Sequence, residues 1–232
     1  MAIKTLLSWS SGKDSAWSLH VLRADPRYAV AGLVTTVNRA FGRVAMHAVR
    51  LRLLEAQATA AGLPLHVVPI PHPCLNEQYE AIMGEAIASA AADGVAAMAF
   101  GDLFLEDVRD YRVRLLADTG VEPVFPIWGR PTDALAREMV AAGLRARITC
   151  VDPAKLPRDF AGRDFDAALL DALPVGVDPC GENGEFHSFA YRGPMFDHPI
   201  AITAGEVVER DGFVFADLLP AADGAATSRA AR

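Results

Sequence analysis

Cysteine is scarce and unpaired in this chain: Cys74, Cys150 and Cys180 lie far apart, and no two form a Cys-x-x-Cys pair. That excludes a disulfide framework, a zinc knuckle and an iron-sulfur cluster, leaving buried thiols as the expectation. A long hydrophobic run is also missing. The longest stretch without an acidic or basic residue, Ala56 to Asn76, is interrupted by Pro64, Pro69, Pro71 and Pro73, which excludes a membrane helix. Nor is there excess positive charge: 22 Lys and Arg face 29 Asp and Glu, a net charge of −7. This balance argues against non-specific nucleic-acid binding. Met1-Ala2-Ile3-Lys4 enters the first apolar run directly and leaves no room for a secretory leader, so the cytoplasm is the expected compartment. A chain of 232 residues, 52% hydrophobic, suits one large domain or a main domain with a small appendage.

What is present alternates. Strand-like runs at Lys4–Trp9, Ala29–Val37, Leu65–Ile70, Val95–Phe100 and Pro123–Ile127 are separated by helix-like segments, the pattern of an α/β protein with a mainly parallel sheet and helices on both faces. The clearest helix is Asn76 to Ala92, where Tyr79, Ile82, Met83, Ala86, Ile87 and Ala90 recur on one face. Further helices are expected at Asp14–Leu22, Ala48–Ala61, Leu105–Asp118 and Asp133–Ala142, with Gly62, Gly94, Gly120 and Gly143 as stops. The alternation weakens after Val151. A short helix at Phe165–Leu173, a polar loop at Val177–His187 and strands near Ile200–Glu209 and Phe213–Asp217 predict a small lobe with β content. The expected division is a main α/β domain over 1–150, a lobe over 151–219 and a flexible tail over 220–232.

The densest chemistry lies in Ser10-Ser11-Gly12-Lys13-Asp14-Ser15, directly after the first apolar run. A strand ending in small hydroxyl residues and a glycine, then entering a helix, offers backbone N–H groups and the positive end of a helix dipole to an anion. Ser10, Ser11 and Ser15 can donate hydroxyl hydrogen bonds, and Lys13 adds a mobile positive charge suited to phosphate. This is not the P-loop of kinases and GTPases, because Leu7 stands where its first glycine belongs and Asp14 follows Lys13. A plain Ser or Asp helix cap is the competing explanation.

Two more clusters carry chemistry. Gly101-Asp102 follows the fourth strand at the sheet edge where ligands gather. The next helix bears Arg109 and Arg112 on one face, either as part of a site or paired with Glu106, Asp107 and Asp110 on a solvated face. The run Asp178-Pro179-Cys180-Gly181-Glu182-Asn183-Gly184-Glu185-Phe186-His187 collects carboxylates, an amide, a thiol and a histidine around two glycines. Glu182 and Glu185 can hold a cation or accept protons, and His187 can titrate near neutrality. A tight hairpin with a solvated tip is the structural alternative.

The Ser10–Ser15 loop resembles the Ser-Gly-Gly-x-Asp-Ser signature of the PP-loop ATP pyrophosphatases, with Ser11 in place of the first glycine. Together with Phe100-Gly101-Asp102, Ile127-Trp128-Gly129 and Cys180–His187, it resembles the diphthine-ammonia ligase family of that superfamily, in its compact prokaryotic branch. The resemblance implies a HUP-type, Rossmann-like domain binding ATP and Mg²⁺, and a smaller lobe binding a carboxylate acceptor. It implies adenylation of that carboxylate with release of pyrophosphate, followed by displacement of AMP by ammonia. Ser10, Ser11, Gly12, Lys13, Asp14, Ser15, Gly101 and Asp102 would then bind nucleotide. Gly181, Glu182, Asn183, Gly184, Glu185 and His187 would bind the acceptor, with Lys13, Asp14, Glu182 and Glu185 catalytic; the Mg²⁺ ligands and a homodimer are left open. Two other readings compete: a PP-loop sulfurtransferase using Cys180, and a non-catalytic adenine-nucleotide sensor.

Overall fold

The computed structural model describes residues 1–39, 43–44 and 49–221. The expected tail lies outside these from residue 222 onward, as does the expected helix start at Ala48. A continuous buried run builds the first strand: in β1 (Ile3–Ser8), Leu6 packs to one side and Leu7 to the other. A strand covered on both faces belongs in the middle of an α/β sheet. β1 pairs in parallel with β2 (Tyr28–Asn38) and β5 (Ala97–Ala99); β2 pairs with β4 (Leu65–Ile70), and β5 with β6 (Glu122–Val124). The parallel order is therefore β4-β2-β1-β5-β6, with the two-residue β3 (Arg43–Val44) antiparallel on β2. Strand order reverses between β1 and β5, so their carboxyl ends flank the crevice at the topological switch point.

Helices cover both faces, as the alternation predicts. Leu7 and Leu33 pack with α1 (Lys13–Ala24) and α2 (Leu51–Ala60) in one core cluster. Leu6, Val34, Val68 and Met98 pack with α3 (Asn76–Ala92) and the end of α4 (Glu106–Leu116) in the other. Gly62, Gly94, Gly120 and Gly143 all take left-handed conformations, with φ between 63° and 88°, as residues that stop helices do. The fifth strand is shorter than expected. Past Val124 the chain turns at Pro126–Gly129 and enters α5 (Thr132–Ala141).

A second, antiparallel sheet forms the rest. Its centre is β7 (Arg145–Val151), flanked by β8 (Asp164–Phe165), β9 (Phe186–Arg192) and β11 (Phe213–Pro220), with β10 (Ile202–Arg210) at the edge and α6 (Ala167–Ala172) alongside. Neither β7 nor β9 is among the strands expected from the sequence. β9 begins at Phe186, inside the segment that reads as a polar loop. Cys150 and Cys180 are buried as expected, whereas Cys74 is only half-buried.

The two sheets meet through α2. Gln57, fully buried, accepts from Trp9 Nε1 (2.8 Å) and donates to Ser11 O (3.0 Å) and Ala190 O (2.6 Å). Ala190 N–H donates in turn to Ser11 O (2.9 Å). Gln57→Leu leaves Trp9 Nε1 without its acceptor in the interior and takes one donor each from Ser11 O, which keeps Ala190 N–H, and from Ala190 O; a lost buried partner costs about 1–3 kcal/mol. We expect urea denaturation to show destabilisation of about 3 kcal/mol; a change below about 1 kcal/mol would mean that this side chain does not join the sheets.

Candidate active site

β1 delivers Ser10–Ser15 to the switch point, and α1 starts there. The helix cap is Gly12, which makes no side-chain capping bond, so the loop is not an ordinary Ser or Asp cap. Ser10 Oγ instead accepts from Gly12 N–H (3.2 Å) and lies 3.1 Å from Ser15 Oγ. Ser11 has φ of 72°, a left-handed conformation that glycine adopts freely and other residues adopt at a cost of about 1 kcal/mol or more. It stands where the PP-loop signature carries glycine, and its hydroxyl is buried with no partner. Gly101 serves through close approach: a Cβ there would lie 3.0 Å from Ser15 N and 3.1 Å from Asp14 C.

Lys13 corrects the expectation of a mobile phosphate-seeking charge. Its side chain is 2% exposed, its Nζ lies 2.8 Å from Asp14 Oδ2 and donates to Cys180 O, and it faces the rings of Phe165 and Phe186 at 5.6 and 5.3 Å. Burial works against the ammonium, but the Asp14 carboxylate holds its pKa above the ordinary amine value. Lys13 N–H also donates to Ser188 Oγ (3.2 Å), on β9.

The 178–187 segment therefore lies against the phosphate loop, not apart from it. One cavity of about 240 Å³ is lined by Ser10, Gly12, Lys13, Asp14, Ser15, Gly101, Asp102, Arg112, Gly181, Glu182, Gly184 and His187, among others. Asn183 and Glu185 are not in its lining. Glu185 is 3% exposed and accepts from Asp178 N–H (3.1 Å) and Asn183 Nδ2 (3.1 Å), bracing the loop from behind. Gly181 has φ of 70°, and a Cβ there would meet Phe186 O at 2.8 Å. A larger, mainly apolar cavity of about 370 Å³ lies under α3 near the amino ends of the strands, lined by Leu6, Val68, Met83 and Val95. The loops that carry the chemistry do not reach it.

Electrostatics single out Glu182. It accepts from Leu103 N–H (2.7 Å), yet burial, with Asp14 nearby, pushes its pKa up to about 7. Asp102 is also raised by burial, only partly offset by Arg112. His187 behaves opposite to expectation: burial, aided by the Lys13 charge, pulls it down to about 4, so it is neutral at neutral pH. Cys180 is buried, its Sγ donates to Thr132 O (3.5 Å), and burial pushes its pKa up; this environment does not favour a thiolate. Ser188 and Gln57 are positioning residues that no sequence signal marks.

Among the described residues, no three His, Cys, Asp or Glu side chains group closely enough to hold a metal alone. Asp14 Oδ1 and Asp102 Oδ2 are nevertheless buried without hydrogen-bond partners. Two such carboxylates suit Mg²⁺, which is commonly held by one or two carboxylates, waters and substrate phosphates. Arg112 pairs with neither Glu106, Asp107 nor Asp110 among the described residues; its Nε faces Asp102 Oδ2 at 3.6 Å.

The raised Glu182 pKa has a stability consequence. A carboxyl with a higher pKa folded than unfolded costs stability progressively as pH rises from about 4.5 to 7. Glu182→Gln, which keeps the acceptor for Leu103 N–H, should therefore be neutral at pH 4 and stabilising by roughly 2 kcal/mol at pH 8, after discounting for solvent screening. Chemical denaturation at both pH values checks this; equal effects would place Glu182 in ordinary solvent.

Family models match most of the chain: the diphthamide synthase N-terminal domain over residues 3–123 and its C-terminal domain over residues 131–216. A diphthine–ammonia ligase of Bos taurus is 26% identical over 230 residues, covering 89% of this chain and 85% of its own length. A diphthine–ammonia ligase of Danio rerio is 32% identical over 130 residues, covering 53% of this chain and 49% of its own length. One of Homo sapiens is 31% identical over 101 residues, 41% of this chain and 38% of its own length. The phosphate loop and the start of α4 fall in the N-terminal match, the Gly181–Ser188 segment falls in the C-terminal one, and the chain belongs to the diphthamide synthase family.

Proposed function

We propose that the protein is an ATP-dependent amide ligase that adenylates a carboxylate and transfers it to ammonia, as the name of its diphthine–ammonia ligase relatives suggests. The observation that carries this reading is the single cavity shared by the Ser10–Ser15 loop, Asp102 and Glu182 at the switch point. Residues 1–150 supply the nucleotide side and residues 151–219 the acceptor side. β7 bridges them, since it follows α5 but lies at the centre of the second sheet. No helix among the described residues is long and apolar enough to cross a membrane, and we place the reaction in the cytoplasm.

The first step is attack of an acceptor carboxylate oxygen on the α-phosphorus of ATP, with pyrophosphate leaving with its electron pair. The amino end of α1 and the Ser10 and Ser15 hydroxyls receive the phosphates, and Asp14 and Asp102 would hold Mg²⁺, which neutralises phosphate charge. In the second step ammonia attacks the acyl carbon and AMP leaves. Glu182 takes the proton released from nitrogen, a role matched by its titration near neutrality. Gly181 and Gly184 shape the acceptor side; Asn183 and Glu185 act by holding that loop. Lys13 fixes Asp14, so its contribution is positional. Catalysis is then mainly orientation and charge neutralisation.

Incubation with ATP, Mg²⁺, ammonium and candidate carboxylates should give AMP and pyrophosphate, with one ammonium consumed per AMP; ADP as the main product would overturn the reaction. Asp14→Asn should lower turnover at least a hundredfold, about 2.7 kcal/mol of lost transition-state stabilisation, while the circular dichroism of the fold stays unchanged. An Asp14→Asn variant with full pyrophosphate release would remove Asp14 from the catalytic set.

A further inference from the structure

Resting on that proposed reaction, we infer that Arg112 is the receptor for the departing pyrophosphate. The cavity lining holds two permanently charged side-chain cations among the described residues, Lys13 and Arg112, and Lys13 is already committed to Asp14 and Cys180 O. His187 is neutral there. Facing these are Asp14, Asp102 and Glu182, so the lining itself is unfavourable for an anion carrying several charges. A triphosphate needs a cation from the protein beyond any that its metal brings, and Arg112 is the available one.

Its geometry supports that role. Arg112 sits on α4, which follows β5 and Asp102, and its side chain is 24% exposed. The guanidinium lies over the Phe100 ring at 5.1 Å and faces Tyr111 at 5.9 Å. Aromatic faces hold it in place without using its N–H donors. Its nearest carboxylate engages them only as a loose ion pair: Nε to Asp102 Oδ2 is 3.6 Å, too long for a hydrogen bond, and both atoms are buried without hydrogen-bond partners. An arginine held by ring faces with an unsatisfied donor toward an anion cavity is ready for phosphate oxygens, which guanidinium groups bind in bidentate fashion. Arg109, three residues earlier, is used differently: it lies over Trp128 at 4.8 Å and Phe125 at 5.4 Å and does not line the cavity.

In the reaction, the α-phosphorus to bridging-oxygen bond breaks and the negative charge collects on the leaving pyrophosphate. A fixed guanidinium there stabilises the charge as it develops. Binding of inorganic pyrophosphate with Mg²⁺ to the purified protein tests this directly by calorimetry, with AMP as the control ligand. Arg112→Gln should bind pyrophosphate at least tenfold more weakly and Arg112→Lys should fall between it and wild type, while both bind AMP as wild type does and unfold at its temperature. Pyrophosphate affinity within twofold of wild type in Arg112→Gln overturns the assignment. So does a variant that keeps this affinity and shows only a raised KM for the acceptor, which would make Arg112 an acceptor contact and leave the reaction intact. Wild-type protein that forms no AMP removes the reaction and this assignment together.

Discussion

A charged amine with almost no contact with solvent governs this structure. An uncompensated buried ammonium costs several kcal/mol, so Lys13 requires its partners wherever the chain places it. Those partners come from both halves: Asp14 from α1, the Cys180 carbonyl from the loop before β9, and the rings of Phe165 and Phe186 from the second sheet. The phosphate loop thus reaches its observed shape only with the second sheet docked. Asp178 and Glu185 extend the dependence backward: Asp178 Oδ2 accepts from Glu182 N–H (2.8 Å), and Glu185 accepts from Asp178 N–H. The chain that supplies the Lys13 carbonyl partner is itself held by buried carboxylates.

Neutralising Lys13 inside the protein leaves the cavity acidic. Asp14 and Asp102 each keep a buried oxygen without a partner, and burial raises the pKa of Asp102 and Glu182. Such groups weaken the ligand-free protein and gain most when a cation or a proton arrives, a common pattern at functional sites. On the proposed reaction, this arrangement would favour arrival of nucleotide together with its metal, because a bare polyphosphate would meet carboxylates first. It also reverses the weight of two charged residues, since Lys13 is expected among the nucleotide-binding and catalytic residues and Arg112 is left open between a site and a solvated face. Lys13 carries a motif position but is spent on structure, while Arg112 lies outside any motif and keeps its donors.

The parallel sheet and the loop were legible in the sequence because they rest on local signals. Apolar runs mark β1, β2 and β4, the glycines past α2 to α5 mark helix ends, and the order of Ser10–Ser15 marks a strand-to-helix turn. In the second sheet β10 and β11 were legible, near Ile200–Glu209 and Phe213–Asp217, whereas β7 and β9 were not expected. β7 does carry a short alternation, with Ala146 and Ile148 buried and Arg145 and Arg147 partly exposed, whereas β9 mixes Phe186, His187, Ser188 and Phe189 without a repeat and takes its strand character from pairing with β7, Ile148 opposite Ser188 and Cys150 opposite His187. The electrostatic state of the site was hidden likewise. His187 as a residue type titrates near neutrality and Glu182 well below it; burial, with the Lys13 and Asp14 charges beside them, reverses them, and burial here depends on contacts across more than 160 residues, as between Lys13 and Cys180.

Ser11 shows how the two halves fix one geometry. A left-handed serine is unfavourable by itself, and the hydroxyl that it brings finds no partner. The conformation persists because its carbonyl is held twice, by Ala190 N–H from β9 and by Gln57 from α2. Turning the peptide back would break both bonds in a buried place, at about 1–3 kcal/mol each, which exceeds the strain of the left-handed backbone. The turn that presents Gly12 and the start of α1 to the cavity is therefore set by the second sheet as much as by the residues of the loop. A glycine at this position would reach the same turn with freedom to leave it; serine reaches it only while the sheets remain joined. The shape of the Ser10–Ser15 loop and the docking of β9 are therefore coupled through the Ser11 carbonyl, so that loosening either one removes hydrogen bonds from the other.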